Sequence, residues 1–154
     1  MKEKIKIDKS ILFLSEKGYY NGELTIWGNK INADLEVWEN NEFITKIMEN
    51  ISWINNNKHT ILEKFLEKAN HYIDSFNDMI RKNNNENHSY ITLEEFKTSI
   101  SIDYLSVYIR GNTVWSVMEL IGEPDYLLGQ REQVKINENY EVEYLGSTED
   151  NIKH

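Results

Sequence analysis

Cysteine is missing from the chain's 154 residues. No disulfide framework, thiolate zinc site or cysteine nucleophile can therefore exist. Proline occurs once, at Pro124, and the seven glycines mostly mark turns. They form no phosphate-cradling Gly-rich loop, and no GxSxG, HExxH or EF-hand pattern is present. Long apolar runs are also lacking. The N-terminus, MKEKIKIDKSILFLSEKG, opens with lysines like a signal peptide, but ILFL is far too short for its apolar region. No stretch approaches the roughly 20 apolar residues of a membrane span. These absences lead us to expect a soluble, cytoplasmic protein without membrane association.

Positive charge is scarce as well. Lys and Arg number 17 against 26 Asp and Glu, a formal charge of −9. A nucleic-acid binder needs a basic face, so that class is not expected. From Glu119 to Asp150 nine acidic residues stand against Arg131 and Lys135. Such a surface favours solubility and would steer a basic partner inward.

What is present is enough to fold: 40% hydrophobic and 12% aromatic residues, at the length of one ordinary domain. No linker divides the chain, and residues 1–154 are read as a single domain. In ELTIW and INADLEVW apolar and polar residues alternate, which predicts half-buried strands. Gly28-Asn29 between them suits a two-residue turn. That turn pairs Ile26 with Ile31, Leu24 with Ala33 and Glu23 with Asp34. An earlier strand around Ile11–Leu14, turning at Glu16-Lys17-Gly18, completes a meander.

The middle third has helical periodicity. EFITKIMENISWI predicts a first helix capped by Asn40 or Asn41. A longer helix follows through Arg81, after the polar tract Asn55–Asn57. Thr92-Leu-Glu-Glu95 reads as a capping box opening a short helix. Strands then return. SIDYLSVYIR turns at Gly111-Asn112 into TVWSVMEL, pairing Ile109 with Val114, Val107 with Ser116, Leu105 with Met118 and Tyr108 with Trp115. A last hairpin turns at Asn137-Glu138-Asn139, pairing Ile136 with Tyr140 and Lys135 with Glu141. Grouped helices between runs of strands predict an α+β fold. We expect an antiparallel sheet of about six or seven strands, packed on one face by two central helices.

His59, Glu63, Glu67 and His71 recur every fourth residue in HTILEKFLEKANH. On a helical wheel at about 100° per residue the two histidines diverge by roughly 120°, too far to share one ion. Thr60 and Glu63 also read as a capping box. The stripe is therefore expected to be a solvated face, and His88 and His154 lie in no motif. Neither a metal, a cofactor nor a catalytic residue is assigned.

The sharper constellation is acidic. Glu23 and Asp34, placed opposite each other with Glu36 two residues along, would repel. Such a patch is either a solvated sheet face, a surface for a basic partner, or a metal-binding or catalytic carboxylate pair. Trp27 and Trp38 flank it as anchors, or else lie buried under neighbouring elements. Tyr104, Tyr108, Trp115 and Val117 form a similar stripe, read as a second core face or an aromatic binding surface.

ITLEEFKTSISIDYLSVYIRGNTVWSVMEL, followed by DYLLGQREQVKINENYEVEYLG, resembles a family of small bacterial proteins known as domain of unknown function 2262. The shared features are a short capped helix opening in T-x-E-E-F, a strand carrying S-I-x-x-L-S-V-Y, a hairpin, and a Gly-centred step into a last hairpin ending in Leu-Gly. The upstream WGNKINADLEV strand and the helix pair also fit. Where that family has an aromatic-Gly-His step, this chain has Leu128-Gly129-Gln130, so no role for such a histidine carries over. The resemblance implies a fold and no activity.

The functional expectation is a non-enzymatic acidic protein that binds and blocks a basic protein, of the inhibitor or immunity type. Its partner-binding candidates are Glu23, Asp34, Glu36, Glu141 and Glu143 for charge, with Trp27, Trp38 and Trp115 as anchors. The alternative is a small-molecule-binding or hydrolytic domain with a pocket between helices and sheet. A regulatory subunit with a large apolar patch is a third. The oligomeric state is not legible in the sequence.

Overall fold

The computed structural model describes residues 3–38, 42–83 and 90–147. Strands β1 (Lys4–Ile7), β2 (Ser10–Leu14), β3 (Tyr20–Ile26) and β4 (Asn29–Trp38) form an antiparallel meander. Helices α1 (Phe43–Asn56), α2 (Lys58–Ala69), α3 (His71–Lys82) and α4 (Leu93–Ser99) follow. A second antiparallel run comprises β5 (Ile100–Arg110), β6 (Thr113–Gly122), β7 (Glu132–Ile136) and β8 (Val142–Ser147). All eight strands join one sheet in sequence order.

The α+β class is as expected, but the sheet is larger and mixed. β4 and β5 run parallel, with Asn32 beside Tyr104 and Glu36 beside Tyr108. Parallel neighbours need a crossover of a dozen or more residues, usually helical. The grouped helices are that crossover. The additional strand, β1, carries its signal in KIKI, where Ile5 and Ile7 are buried and Lys4 and Lys6 are exposed.

All the helices contribute to one core. Ile47 and Ile54 of α1, Phe65 of α2, Tyr72 of α3 and Phe96 of α4 are buried with Leu35, Leu105, Val107 and Met118 from the sheet. Each large side chain so buried stabilises by roughly 1.5–3 kcal/mol. On each strand the buried residues share one face, so the other face of the sheet carries no helix among the described residues.

Local details depart from expectation where tertiary contacts outweigh sequence signals. The β3–β4 register is shifted by two residues: Leu24 pairs with Ile31 and Glu23 with Asn32, while Asp34 sits opposite Asn21. The turn residues are Trp27 and Gly28, both at positive φ (52° and 81°), as a type I′ turn requires. The last hairpin is also shifted by two, with Ile136 opposite Val142 and Lys135 opposite Glu143. Its loop is longer because the Asn137 side chain accepts hydrogen bonds from the backbone N–H groups of Asn139 and Glu141, both at 2.9 Å. The Gly111-Asn112 hairpin has the predicted register from Leu105–Met118 to Ile109–Val114, and a bulge between Ile102 and Tyr104 shifts it farther from the turn.

The long helix is interrupted at Asn70, dividing α2 from α3. Thr60 lies inside α2 and caps nothing. Glu63 instead reaches Lys97 of α4 at 2.6 Å, which holds its carboxyl below the usual carboxylate range. The Thr92 capping box forms in full. The proposed Asn40 or Asn41 cap lies outside the described residues. Glu42 stands at the N-cap of α1 without a side-chain cap bond.

Two core positions are polar without a visible structural return. Asn50 of α1 and Ser116 of β6 are fully buried, and the Asn50 amide and the Ser116 hydroxyl have no hydrogen-bond partner among the described residues. A buried polar group left so costs about 1–3 kcal/mol. Ser116→Ala preserves the volume and removes the hydroxyl. We expect stability to rise by about 1 kcal/mol, read as a higher urea midpoint with unchanged slope. A fall of similar size would show that the hydroxyl has a partner.

Candidate functional site

The uncovered sheet face is built by the period-two alternation of the strands. One row crosses all eight: Lys4, Phe13, Asn21, Asp34, Ser106, Val117, Lys135 and Glu143 are successive Cα partners. A second row brings Glu36, Tyr108 and Trp115 side by side on β4, β5 and β6. A third aligns Glu23, Asn32, Tyr104, Glu119 and Gln133.

At its centre Tyr108 and Trp115 stack, with ring centroids 5.3 Å apart and planes 11° from parallel. Both rings are half-buried. Burial pushes the Tyr108 hydroxyl up from its ordinary pKa, and the charges of Asp34 and Glu36 add to this against an opposing hydrogen bond from Ser106. The Tyr104 hydroxyl donates to Asp34 Oδ2 at 2.8 Å. Its pKa is raised well above the phenol range, first by burial and then by that bond and the Asp34 charge. The other oxygen of Asp34, Oδ1, is buried and has no hydrogen-bond partner among the described residues.

Two cations near this face are in ion pairs. Arg131 bridges Asp103 at 2.5 Å and Glu119 at 3.0 Å, while Lys135 lies 4.0 Å from Glu143. Among the described residues no Lys, Arg or His stands within salt-bridge distance of Glu23, Asp34 or Glu36. Glu23, Asp34 and Glu36 are thus in no ion pair among the described residues, although Lys9 and Lys30 line one hollow with Glu23, whereas Glu119 and Glu143 are paired.

The structure brings together Asp34, Glu36 and Trp115, with Glu23 one strand away. Trp38 ends β4 beside Arg110, 45% exposed. Glu143 lies across the sheet beside Lys135. Glu141 belongs to the β7–β8 loop and points its backbone N–H at Asn137. Trp27 is not on this face at all. Its indole N–H donates to the Ile54 carbonyl at 2.9 Å, and the Lys58 ammonium lies 5.3 Å from the ring centroid. Tyr104 and Tyr108 join the site because β4 and β5 are neighbours. Their alternation marks the face, but no local signal marks that adjacency.

His59 lies 3.7 Å from Glu63, and the His71 ring packs on Tyr72. The stripe does not converge, and no group of three metal-ligating side chains occurs among the described residues. His88 and His154 lie outside them. A hollow of about 620 Å³ is lined by Thr45, Met48, Glu49, Ser52, Trp53, Asn56 and Asn57. These residues belong to α1 and the position after it, so this hollow is on the outside of the helix and not between helices and sheet. No helix among the described residues is long and apolar enough to cross a membrane.

No protein-family model matches the chain, and neither comparison with curated proteins nor comparison with solved structures finds a match.

Proposed function

We propose that the uncovered sheet face docks a basic protein, and that the protein acts as a non-enzymatic inhibitor of the immunity type by covering its partner's working surface. The observation that carries this reading is the set Glu23, Asp34 and Glu36, in no ion pair among the described residues, beside the half-buried Tyr108–Trp115 stack. Carboxylates outside ion pairs attract a cationic surface and speed its approach, and the overall charge of −9 acts in the same sense. Half-buried aromatic rings supply contact area that needs little further ordering on binding. The likeness to the 2262 family stands beside this proposal as a statement about fold.

The tagged protein is incubated with source-cell lysate, eluted along a salt gradient, and compared with a Glu23→Lys/Glu36→Lys variant. One stoichiometric basic protein should elute, with affinity for the variant lower by on the order of tenfold or more. The variant's thermal midpoint should stay within a few degrees, because both substitutions are on the solvent side of the sheet. Undiminished capture by the variant would mean that these carboxylates form only a solvated face. Capture of nothing would count against the inhibitor reading itself.

A further inference from the structure

Independently of that docking reading, we infer that the N-terminal part of the same sheet face is a contact between two copies of this chain, related by a two-fold axis along β2. The patch is apolar in the middle. Ile11 and Phe13 of β2 are 50% and 59% exposed, and no large apolar side chain among the described residues is more exposed than Phe13. Cations flank it on one side. Lys4 is the Cα partner of Phe13 and Lys6 that of Ile11, both on the exposed face of β1. An anion flanks it on the other. Asn21 of β3 is the partner of Phe13, and Glu23, two residues along, lines one hollow of about 560 Å³ with Ile11 and Phe13. Lys4, Lys6 and Glu23 are in no ion pair among the described residues. Two strand spacings, about 10 Å, separate β1 from β3, which is too far for an ion pair across β2 within one chain.

A row that runs cation, apolar, anion is complementary to itself. A second copy turned over about β2 sets its β2 on β2 and its β3 above β1. Ile11 and Phe13 then pack on their own counterparts. Lys6 of each copy faces Glu23 of the other, so the opposite charges meet twice in one contact. Such isologous pairing is the commonest symmetry of soluble oligomers. A partner that was only basic or only acidic would match one flank of this patch and repel the other. The lysines of β1 also guard its open edge, so association goes through the face and not through strand addition. Each copy contributes three short strands, at the low end of interface size, and the dimer is weak and reversible for that reason.

Sedimentation velocity of the full-length protein tests this at about 0.15 M salt, where repulsion between two copies of charge −9 is screened beyond about 8 Å. Monomer and dimer should exchange with protein concentration. Lys6→Glu and Glu23→Lys each set like charges face to face, so each alone should weaken the dimer by on the order of tenfold or more. An equimolar mixture of the two variants restores both opposite pairs and should dimerise again, as a heterodimer. Both substitutions are at exposed positions, so the folded circular dichroism spectrum should be retained. A wild-type protein still monomeric at about 1 mM overturns the inference. Its capture by phosphatidylglycerol vesicles, lost in Phe13→Ser, would then give the patch to a lipid surface. A dimer that neither charge reversal weakens overturns the inference as well, and so does a mixture that stays monomeric. The lysate capture decides docking of a basic protein separately, so either reading can fail alone.

Discussion

Glu132→Ala should lower the unfolding free energy by about 3 kcal/mol, a loss of roughly 6–12 °C in thermal midpoint for a chain of this length. Glu132 is the most deeply buried charged-type residue of the described structure, 1% exposed on the core side of β7. Its two carboxylate oxygens are used separately. Oε1 accepts from the Tyr72 hydroxyl of α3, and Oε2 accepts from the Tyr144 hydroxyl of β8 at 2.7 Å. One carboxylate therefore joins a helix to two strands. Hydrogen bonds to such a group contribute about 1.5–3 kcal/mol each. Part of that is offset, because the mutation also relieves the cost of burying the carboxylate.

The surroundings make compensation by collapse difficult. Tyr72 packs near Phe96, and Tyr144 near Phe65, with centroid separations of 6.4 Å and 6.1 Å. Both phenylalanines are fully buried. Glu132→Gln keeps the shape and one acceptor oxygen, and its amide can donate to the second hydroxyl. It should cost less than half as much as alanine. Tyr72→Phe should then cost clearly more in the native background than in Glu132→Ala, because the two residues share one interaction. Equilibrium denaturation of the four proteins measures this coupling. Additive losses would mean that the carboxylate and the tyrosine contribute independently.

Trp27→Ala should be nearly as damaging, with an expected loss of about 2–4 kcal/mol. The residue occupies the first position of the β3–β4 turn at φ 52°, a region that bulky side chains rarely adopt. Its contacts explain how it is held there. The indole N–H donates to the Ile54 carbonyl at 2.9 Å, near the C-terminus of α1. Its backbone N–H donates to Asn55 Oδ1 at 2.8 Å. The turn is thereby tied to the α1–α2 junction, and the tie outweighs the backbone strain.

Two further substitutions separate those effects. Trp27→Gly removes the same contacts but relieves the positive-φ strain, so it should be more stable than Trp27→Ala by up to about 1 kcal/mol. Asn55→Ala keeps the indole and deletes the bond from the Trp27 N–H together with the longer one to the Thr25 carbonyl (3.5 Å), and should cost about 1 kcal/mol. Urea unfolding checks both, and amide exchange should show faster opening at the β3–β4 turn in Trp27→Ala. If Trp27→Ala loses less than 1 kcal/mol, the turn is held by the hairpin itself and not by the helix junction.

Trp27 also shows why the hairpin register was not legible. Read locally, Gly28-Asn29 is a good turn and Trp27 belongs to the strand. The competing turn places tryptophan at positive φ, a choice no local propensity favours. Only the distant Ile54 carbonyl and Asn55 side chain make it the better one. The last hairpin has a similar cause: Asn137 organises a five-residue connection from Asn137 to Glu141, and Tyr140 stacks on Trp53 of α1 at 5.0 Å. Thr60 and Glu63 repeat the lesson, since a plausible capping box is set aside for an ion pair with Lys97.

By itself the sequence determined which side of each strand is wet and where most elements lie. Alternation has a period of two, and both register shifts are of two residues, so the strand residues away from the turns stay on the face their neighbours implied, and Trp27, drawn into its turn, does not. This is why Asp34, Glu36, Tyr104, Tyr108, Trp115 and Glu143 all fall on the solvent side, as their alternation indicates. Only the tertiary structure decided which strands are neighbours. The helical crossover returns the chain in the same direction and sets β5 parallel beside β4. That pairing is non-local, because its contacts join residues about 70 positions apart and hydrogen bonds of the backbone carry no sequence code. It is also what brings the carboxylates of one meander up to the aromatic stack of the other.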